Sequence, residues 1–268
     1  MFQERRCVMN RKTASTISDK LWPWILPLSL LIIWQLLSSG GLLSERTLPS
    51  PLHIVVSGAQ LIRTGELLEH IQVSFHRAFI GFCLGGALGL LFGLLNGVFP
   101  VAEKYLDTTI QMIRNIPHLA LIPLVILWLG IGEEAKIFLV TIGVFFPIYV
   151  NTYHGIRSVD PALIEMGRVY GLSKEKLFIR VILKGALPSV LVGVRYSLGI
   201  MWLTLIVAET VAADSGIGYM AMNAREFMQI DIVIVAITLY ALLGKAADSI
   251  AKILERMLLK WHPNYQQG

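Results

Sequence analysis

The chain has 268 residues, of which 55% are hydrophobic and only 15% charged, where a soluble globular domain has roughly 45–50% and 25%. Its charges are bunched and leave nearly uncharged runs of about 20 residues, each long enough to cross a hydrocarbon core roughly 30 Å thick at about 1.5 Å per residue. This excludes an ordinary soluble globule and predicts an all-α integral membrane protein, to which the two cysteines, Cys7 and Cys83, add neither metal spacing nor a disulfide framework.

Residues 1–21 hold Arg5, Arg6, Arg11, Lys12 and Lys20 and read as a basic cytoplasmic tail. The apolar run from Trp22 to about Leu43 has no small-x-small cleavage pattern and is long for a signal peptide. It is expected to be the first of six spans, at about 22–42. Residues 44–74 follow, long enough for an amphipathic helix near the outer surface or an ordinary loop.

The second span is expected at about 75–98. Gly81, Gly85, Gly89 and Gly93 lie four apart there, on one helix face, so that another helix can approach closely. That approach is expected within the bundle or at a subunit contact. The third span, about 106–130, contains Arg114, Asn115, Pro117, His118 and Pro123. Each proline removes a helical hydrogen bond. A kinked helix with polar residues at the bend suits a wall lining an aqueous path, or a simple packing irregularity. The fourth span falls at about 135–153, the fifth at about 189–208 and the sixth at about 231–251.

Between spans four and five lies a charged insert, 154–188. Asp160 and Pro161 form a helix start, with an N-cap acceptor followed by proline at the first helical position. A helix of about ten residues follows, and Gly171 can take the left-handed conformation that ends it. Ser173 can cap a second helix, 174–184, whose Lys176, Arg180 and Lys184 make a basic stripe suited to anionic lipid headgroups. Gly185 and Pro188 are expected to break the chain before span five. After that span, 209–230 mixes small, glycine and acidic residues, as a docking surface or a plain loop.

Lysines and arginines set the orientation. With the N-terminus cytoplasmic, about 15 basic residues fall on the cytoplasmic side and 4 or 5 outside, which puts both termini, the insert and the tail 253–268 in the cytoplasm. The transmembrane domain is then 22–252. Ionisable residues inside spans are functional candidates. Arg114, Asn115, His118, Arg195 and Glu209 are the candidates for a translocation path. Arg195 can instead snorkel to the interface, Arg114 can bond carbonyls freed at the helix break, and Glu209 can mark an interface. Lys245 and Asp248, one turn apart, are expected to pair. A stand-alone secondary carrier predicts a carboxylate relay and inverted repeats, neither of which is evident. No nucleophile–base arrangement or metal cluster suggests an enzyme.

The insert resembles the cytoplasmic EAA loop of binding-protein-dependent ABC importer permeases, whose pattern is Glu-Ala-Ala, three residues, Gly, nine residues, Ile-x-Leu-Pro. Glu165 and Gly171 stand at the first and glycine places, and Val181 and Leu183 at the Ile and Leu places. Met166 and Gly167 replace the alanines, and Lys184 replaces the proline, which lets the chain stay helical a turn longer. The segments "LPSP", "IQMIRNIPHLALIPLVILWLGIGEEAKIFLV", "FFPIYVNTYHGIRSVD", "GVRYSLGIMWLTLIVAE" and "SGIGYMAMNAREF" resemble the nitrate/sulfonate/taurine branch, most nearly its aliphatic sulfonate permeases.

The resemblance implies a six-helix, type I ABC importer permease in a bacterial inner membrane. It implies a cytoplasmic ABC ATPase dimer, a periplasmic or lipid-anchored substrate-binding protein and a second copy of the chain as partners, with membrane lipid around them and no nucleic acid. Pro161, Ala162, Leu163, Glu165, Met166, Gly167, Tyr170, Gly171 and Leu172 would meet the ATPase. No catalytic residue and no cofactor are expected in this chain. It has no Gly-x-x-x-x-Gly-Lys-Ser/Thr loop, so ATP and Mg²⁺ would be bound by the separate ATPase. Aliphatic sulfonate is the expected cargo, with nitrate, taurine or another small organic substrate as alternatives.

Overall fold

The computed structural model describes residues 17–45 and 47–261. The described residues are helical or in turns and contain no strand. Most of the basic tail that sets the expected orientation, residues 1–16, lies outside them, as does 262–268.

The first described helix is α1 (Ile17–Ser39), largely exposed from Ile25 to Ser39. Next comes α2 (Pro51–Thr64), started by Ser50, whose hydroxyl accepts from the His53 amide at 3.2 Å, and ended by left-handed Gly65. From that glycine α3 (Glu66–Val98) runs for 33 residues. The surface helix expected in 44–74 is therefore only α2, because 66–74 already belongs to the second span.

The third span is broken rather than kinked. α4 (Pro100–Arg114) and the segment His118–Leu129, a 3₁₀ turn leading into α5 (Ile122–Leu129), meet at 81°. Pro117 lacks the amide that would continue α4, so the chain turns there. After α5 come α6 (Glu133–Arg157), α7 (Pro161–Val169) and α8 (Lys174–Leu177). A π-turn at Phe178–Ile182, with the Leu183 amide bonded to the Phe178 carbonyl, joins α8 to α9 (Leu183–Ala212). The last helices are α10 (Ile217–Glu226) and α11 (Ile230–Leu258).

Gly185 and Pro188 do not break the chain before span five, contrary to expectation: both lie inside α9. Where no water can take over a free backbone group, a continuous helix outweighs one lost hydrogen bond. Gly185 serves packing instead, since a methyl group there would come within 3.0 Å of Val159.

Four helical runs are long and apolar enough to cross a membrane: α3, α6, Lys174–Ala212 and α11. The bent pair makes a fifth. With α1, whose described apolar part is the shorter Ile25–Ser39, the six expected apolar segments are all present.

The glycine face of α3 meets α6 within the bundle. A methyl group at Gly81 would lie 2.6 Å from Val140, at Gly89 2.7 Å from the Phe145 carbonyl, and at Gly93 2.6 Å from Thr152. At Gly85 it would collide with the Thr141 carbonyl. α9 approaches the next face of α6 in the same way, through Gly193 over the Pro147 carbonyl and Gly155 under that of Ala186. Around these contacts α3, α6, α9 and α11 bury Ala78, Val140, Val144, Ile148, Met201, Trp202, Leu205 and Ala247 as the main core.

Candidate functional site

At one end of the bundle α7 forms a small rigid projection. Asp160 caps it by accepting from the Ala162 amide at 2.8 Å, and Pro161 opens it. It closes in a Schellman turn: Gly171, at φ 74°, donates to the Arg168 carbonyl at 2.9 Å, and Leu172 donates to the Gly167 carbonyl at 3.0 Å. Ser173 then caps α8 through the Lys176 amide. All three local signals read from the sequence are in place. Gly167, at an alanine position of the loop pattern, is buried, and a methyl group there would come within 2.6 Å of Leu177. The glycine thus lets α7 lie directly against α8. Pro161, Ala162, Leu163, Glu165, Met166 and Tyr170 face outward with Val169, a residue 82% exposed. A compact helix fixed at both ends and showing this much apolar surface is suited to contact with another protein.

The opposite end carries a buried ionic centre. Arg77 on α3 donates to Glu209 of α9 at 2.9 Å, to Glu133 of α6 at 2.6 Å and to the Ser215 carbonyl at 2.6 Å. Glu209 also accepts from Ser74 at 2.8 Å and from the Gly218 amide at 2.9 Å. Buried Lys136 lies 3.3 Å from Glu133. Two cations offset two carboxylates, and each buried carboxylate oxygen finds a donor, which is what makes such a centre tolerable in an apolar bundle. A cavity of about 600 Å³ opens beside it, with Gln72, His76, Arg77 and Glu133 among its walls.

The residues expected to line a path are not gathered into one site. Arg114 and Asn115 stand exposed at the break after α4. His118, just beyond, has Nε2 2.9 Å from Thr204 Oγ1 of α9, in a space left open by Gly143. Glu209 belongs to the ionic centre. Arg195 donates to Asp248 at 2.8 Å and lies 3.8 Å from Glu255, both on α11. Asp248 therefore pairs with Arg195 and with Lys252, at 2.8 Å, and not with the exposed Lys245. Lys252, four residues on, points to the same side as Asp248, and Arg195 approaches it from α9.

Sequence reading missed Arg77 as a site residue, along with Glu133 and Ser74. The available signal was an arginine opening an otherwise apolar 20-residue run, which calls for a buried anionic partner.

Residues 85–260 match the family described as the binding-protein-dependent transport system inner membrane component. The chain belongs to that family. The permease is 62% identical over 243 residues to the putative aliphatic sulfonates transport permease protein SsuC of Escherichia coli (strain K12), covering 91% of this chain and 92% of that one. It is 47% identical over 242 residues to the protein of the same description in Bacillus subtilis (strain 168), covering 90% and 88%. It is 32% identical over 242 residues to the E. coli taurine transport system permease protein TauC, covering 88% of each. Among solved structures it shares its fold with an amino acid ABC transporter chain, at a TM-score of 0.62 and 16% identity, over 74% of this chain and 97% of that one. A chain of the MetNI methionine ABC transporter matches at a TM-score of 0.56 and 20% identity, over 70% and 95%. The permease thus has the type I ABC importer architecture and is a membrane transport component.

Proposed function

We propose that the permease, paired with a second copy of itself, forms the path by which aliphatic sulfonates enter a bacterial cell. A separate cytoplasmic ATPase dimer, holding ATP and Mg²⁺, drives it through α7. One observation carries the cargo: 62% identity, across nine-tenths of both chains, to a permease named for aliphatic sulfonates. The 32% identity to a permease named for taurine, itself a sulfonate, makes taurine the second reading.

The coupling role rests on α7. Leu163, Met166, Val169 and Tyr170 offer an exposed apolar contact, Glu165 a polar one, and Gly171 fixes the angle at which the helix leaves. The end bearing α7 is the cytoplasmic one in this reading, as the distribution of lysine and arginine favours. A periplasmic or lipid-anchored binding protein would then deliver cargo at the end that holds Arg77. Lys176, Arg180 and Lys184 would lie near anionic headgroups.

A sulfonate keeps its negative charge at physiological pH, so its crossing cost falls where positive or hydrogen-bonding groups replace water. Arg114, Asn115 and His118, at the break in the third span, supply such groups. Arg195 is the weaker contributor because Asp248 already engages it. Growth on alkanesulfonates as sole sulfur source, with and without the gene, tests the cargo. Loss of growth on ethanesulfonate with taurine growth intact supports the first reading, and the reverse pattern supports the second. Normal growth on both would overturn the proposal.

A further inference from the structure

Two rungs of hydrogen bonds join α4 to the part of α6 nearest α7. On the first, Tyr153 donates to Glu103 Oε1 at 2.5 Å and Arg157 donates to Glu103 Oε2 at 3.0 Å. On the second, Tyr149 donates to Asp107 Oδ1 at 2.6 Å and accepts from Asn96 of α3 at 2.7 Å. Gln111, one turn further along α4, also donates to Asp107, at 3.2 Å. Glu103 and Asp107 are one turn apart on α4, and Tyr153 and Tyr149 one turn apart on α6 in the opposite direction, so the antiparallel helices match rung for rung. The two tyrosine rings stack, 6.2 Å between centroids and 8° between planes, which holds their hydroxyls as a pair.

Past the second rung the contact changes character. Ile110 and Ile113 of α4 and Ile142 and Phe145 of α6 face a cavity of about 300 Å³. No residue of α4 is buried. The helix is therefore held firmly where the rungs are and loosely at its Arg114 end. Charge-assisted hydrogen bonds are short and directional, whereas apolar walls separated by a void have few atoms in contact through which to push. Arg157 is the last residue of α6, and α7 begins four residues later.

We propose that Glu103 and Asp107 are positioning residues that pass a displacement of α7, through the end of α6, to the Arg114 end of α4. The inference rests on the reading of α7 as the coupling helix. From Asp107 to Arg114 is about 10 Å of helix at about 1.5 Å per residue. An arm clamped at one end over a void swings at the other, and there it carries Arg114 and Asn115 at the break in the path-lining span.

The test uses the complete transporter, permease with its ATPase and binding protein, in liposomes. The permease carries Cys7→Ser and Cys83→Ser, with Ile113→Cys as a reporter for maleimide labelling and, separately, Val169→Cys for cross-linking to the ATPase. With the rungs intact, labelling at 113 differs by about fivefold or more between the nucleotide-free and vanadate-trapped states. With Tyr149→Phe and Tyr153→Phe together, the difference falls below about twofold and uptake drops about tenfold, while ATP hydrolysis and the 169 cross-link persist. Uptake and labelling difference both retained in that variant overturn the inference. So does a parent chain whose labelling does not change with state. A parent complex with no 169 cross-link overturns the coupling reading instead. If the double variant fails to assemble, Glu103→Arg abolishes the labelling difference and adding Arg157→Glu restores it. Failure of the second exchange to restore it overturns the inference as well.

Discussion

Arg77 Nη1 lies 2.9 Å from Glu209 Oε1, and both side chains are shut away from solvent, at 1% and 0% exposure. The two residues are 132 positions apart in sequence. Their pairing joins α3 to α9, and Glu133 brings in α6, so three crossings are pinned at one end of the bundle. The other end has no comparable buried centre among the described residues. There the ties include the half-exposed Arg195–Asp248 pair, the bond from Ser189 to the Asn151 carbonyl, and the hydrogen bonds that join α4 and α3 to α6.

Removing one member of the buried pair leaves the other charge stranded. Arg77→Ala should cost about 3–5 kcal/mol, read as a lower unfolding midpoint of the detergent-solubilised protein. Arg77→Met combined with Glu209→Leu should recover most of that loss, because Glu133 keeps Lys136 as its partner and no buried charge is left unpaired. A loss below about 1 kcal/mol in the single variant would contradict the assignment of this centre as a structural anchor.

The α3–α6 seam predicts unequal effects for the same substitution. Gly89→Ala drives a methyl group to 2.7 Å from a carbonyl oxygen and should cost about 1–3 kcal/mol. Gly244→Ala, with nothing within 4 Å of the new methyl, should be neutral or stabilising by up to about 1 kcal/mol. Paired thermal melts of the two variants decide; equal midpoints would refute the packing argument.

Gly171 holds the left-handed turn that ends α7, and β-branched residues resist that conformation by about 1–2 kcal/mol. Gly171→Val should therefore reorient the exit of α7, and Glu165→Ala should remove a polar contact of the same helix. Both are expected to lower the stimulation of ATP hydrolysis by the liganded binding protein, with the basal rate nearly unchanged. Full stimulation in both variants would count against α7 as the joint.

Met228 sits at φ 57°, the left-handed residue of a second Schellman turn, in which its amide bonds the Arg225 carbonyl and that of Gln229 bonds Ala224. Methionine is strained there where glycine is not. Met228→Gly should raise stability by about 0.5–1 kcal/mol, the strain relieved less the extra freedom of the unfolded chain. A melt showing destabilisation would refute the assigned strain.

Local features were legible in the sequence because their causes are local. Asp160, Gly171 and Ser173 act through hydrogen bonds within a few residues and Pro161 through its fixed φ at the first helical position, and the structure has each of them at work. The four-residue glycine spacing on α3 announced a close helix, though not that α6 would be the neighbour. The pairing of Asp248 was misread for the opposite reason. Lys245 is one turn away in sequence, but which side chain meets Asp248 depends on how α9 and α11 are rotated against each other. Arg77, Glu133 and Glu209 come from three helices, so no spacing rule could have linked them. Pro188 was read as a stop because proline breaks helices in water, and the apolar surroundings of span five weigh that cost differently.

The wide turn at Phe178–Ile182 accommodates one residue more than regular helix would. Deleting a single residue there would tighten the turn to ordinary geometry and leave the flanking faces of α8 and α9 pointing as before. The same deletion in α3 would rotate every later glycine by about 100° away from α6. Chains of this kind can therefore differ in length by one between the projection and the fifth crossing, while the second crossing tolerates no such slippage.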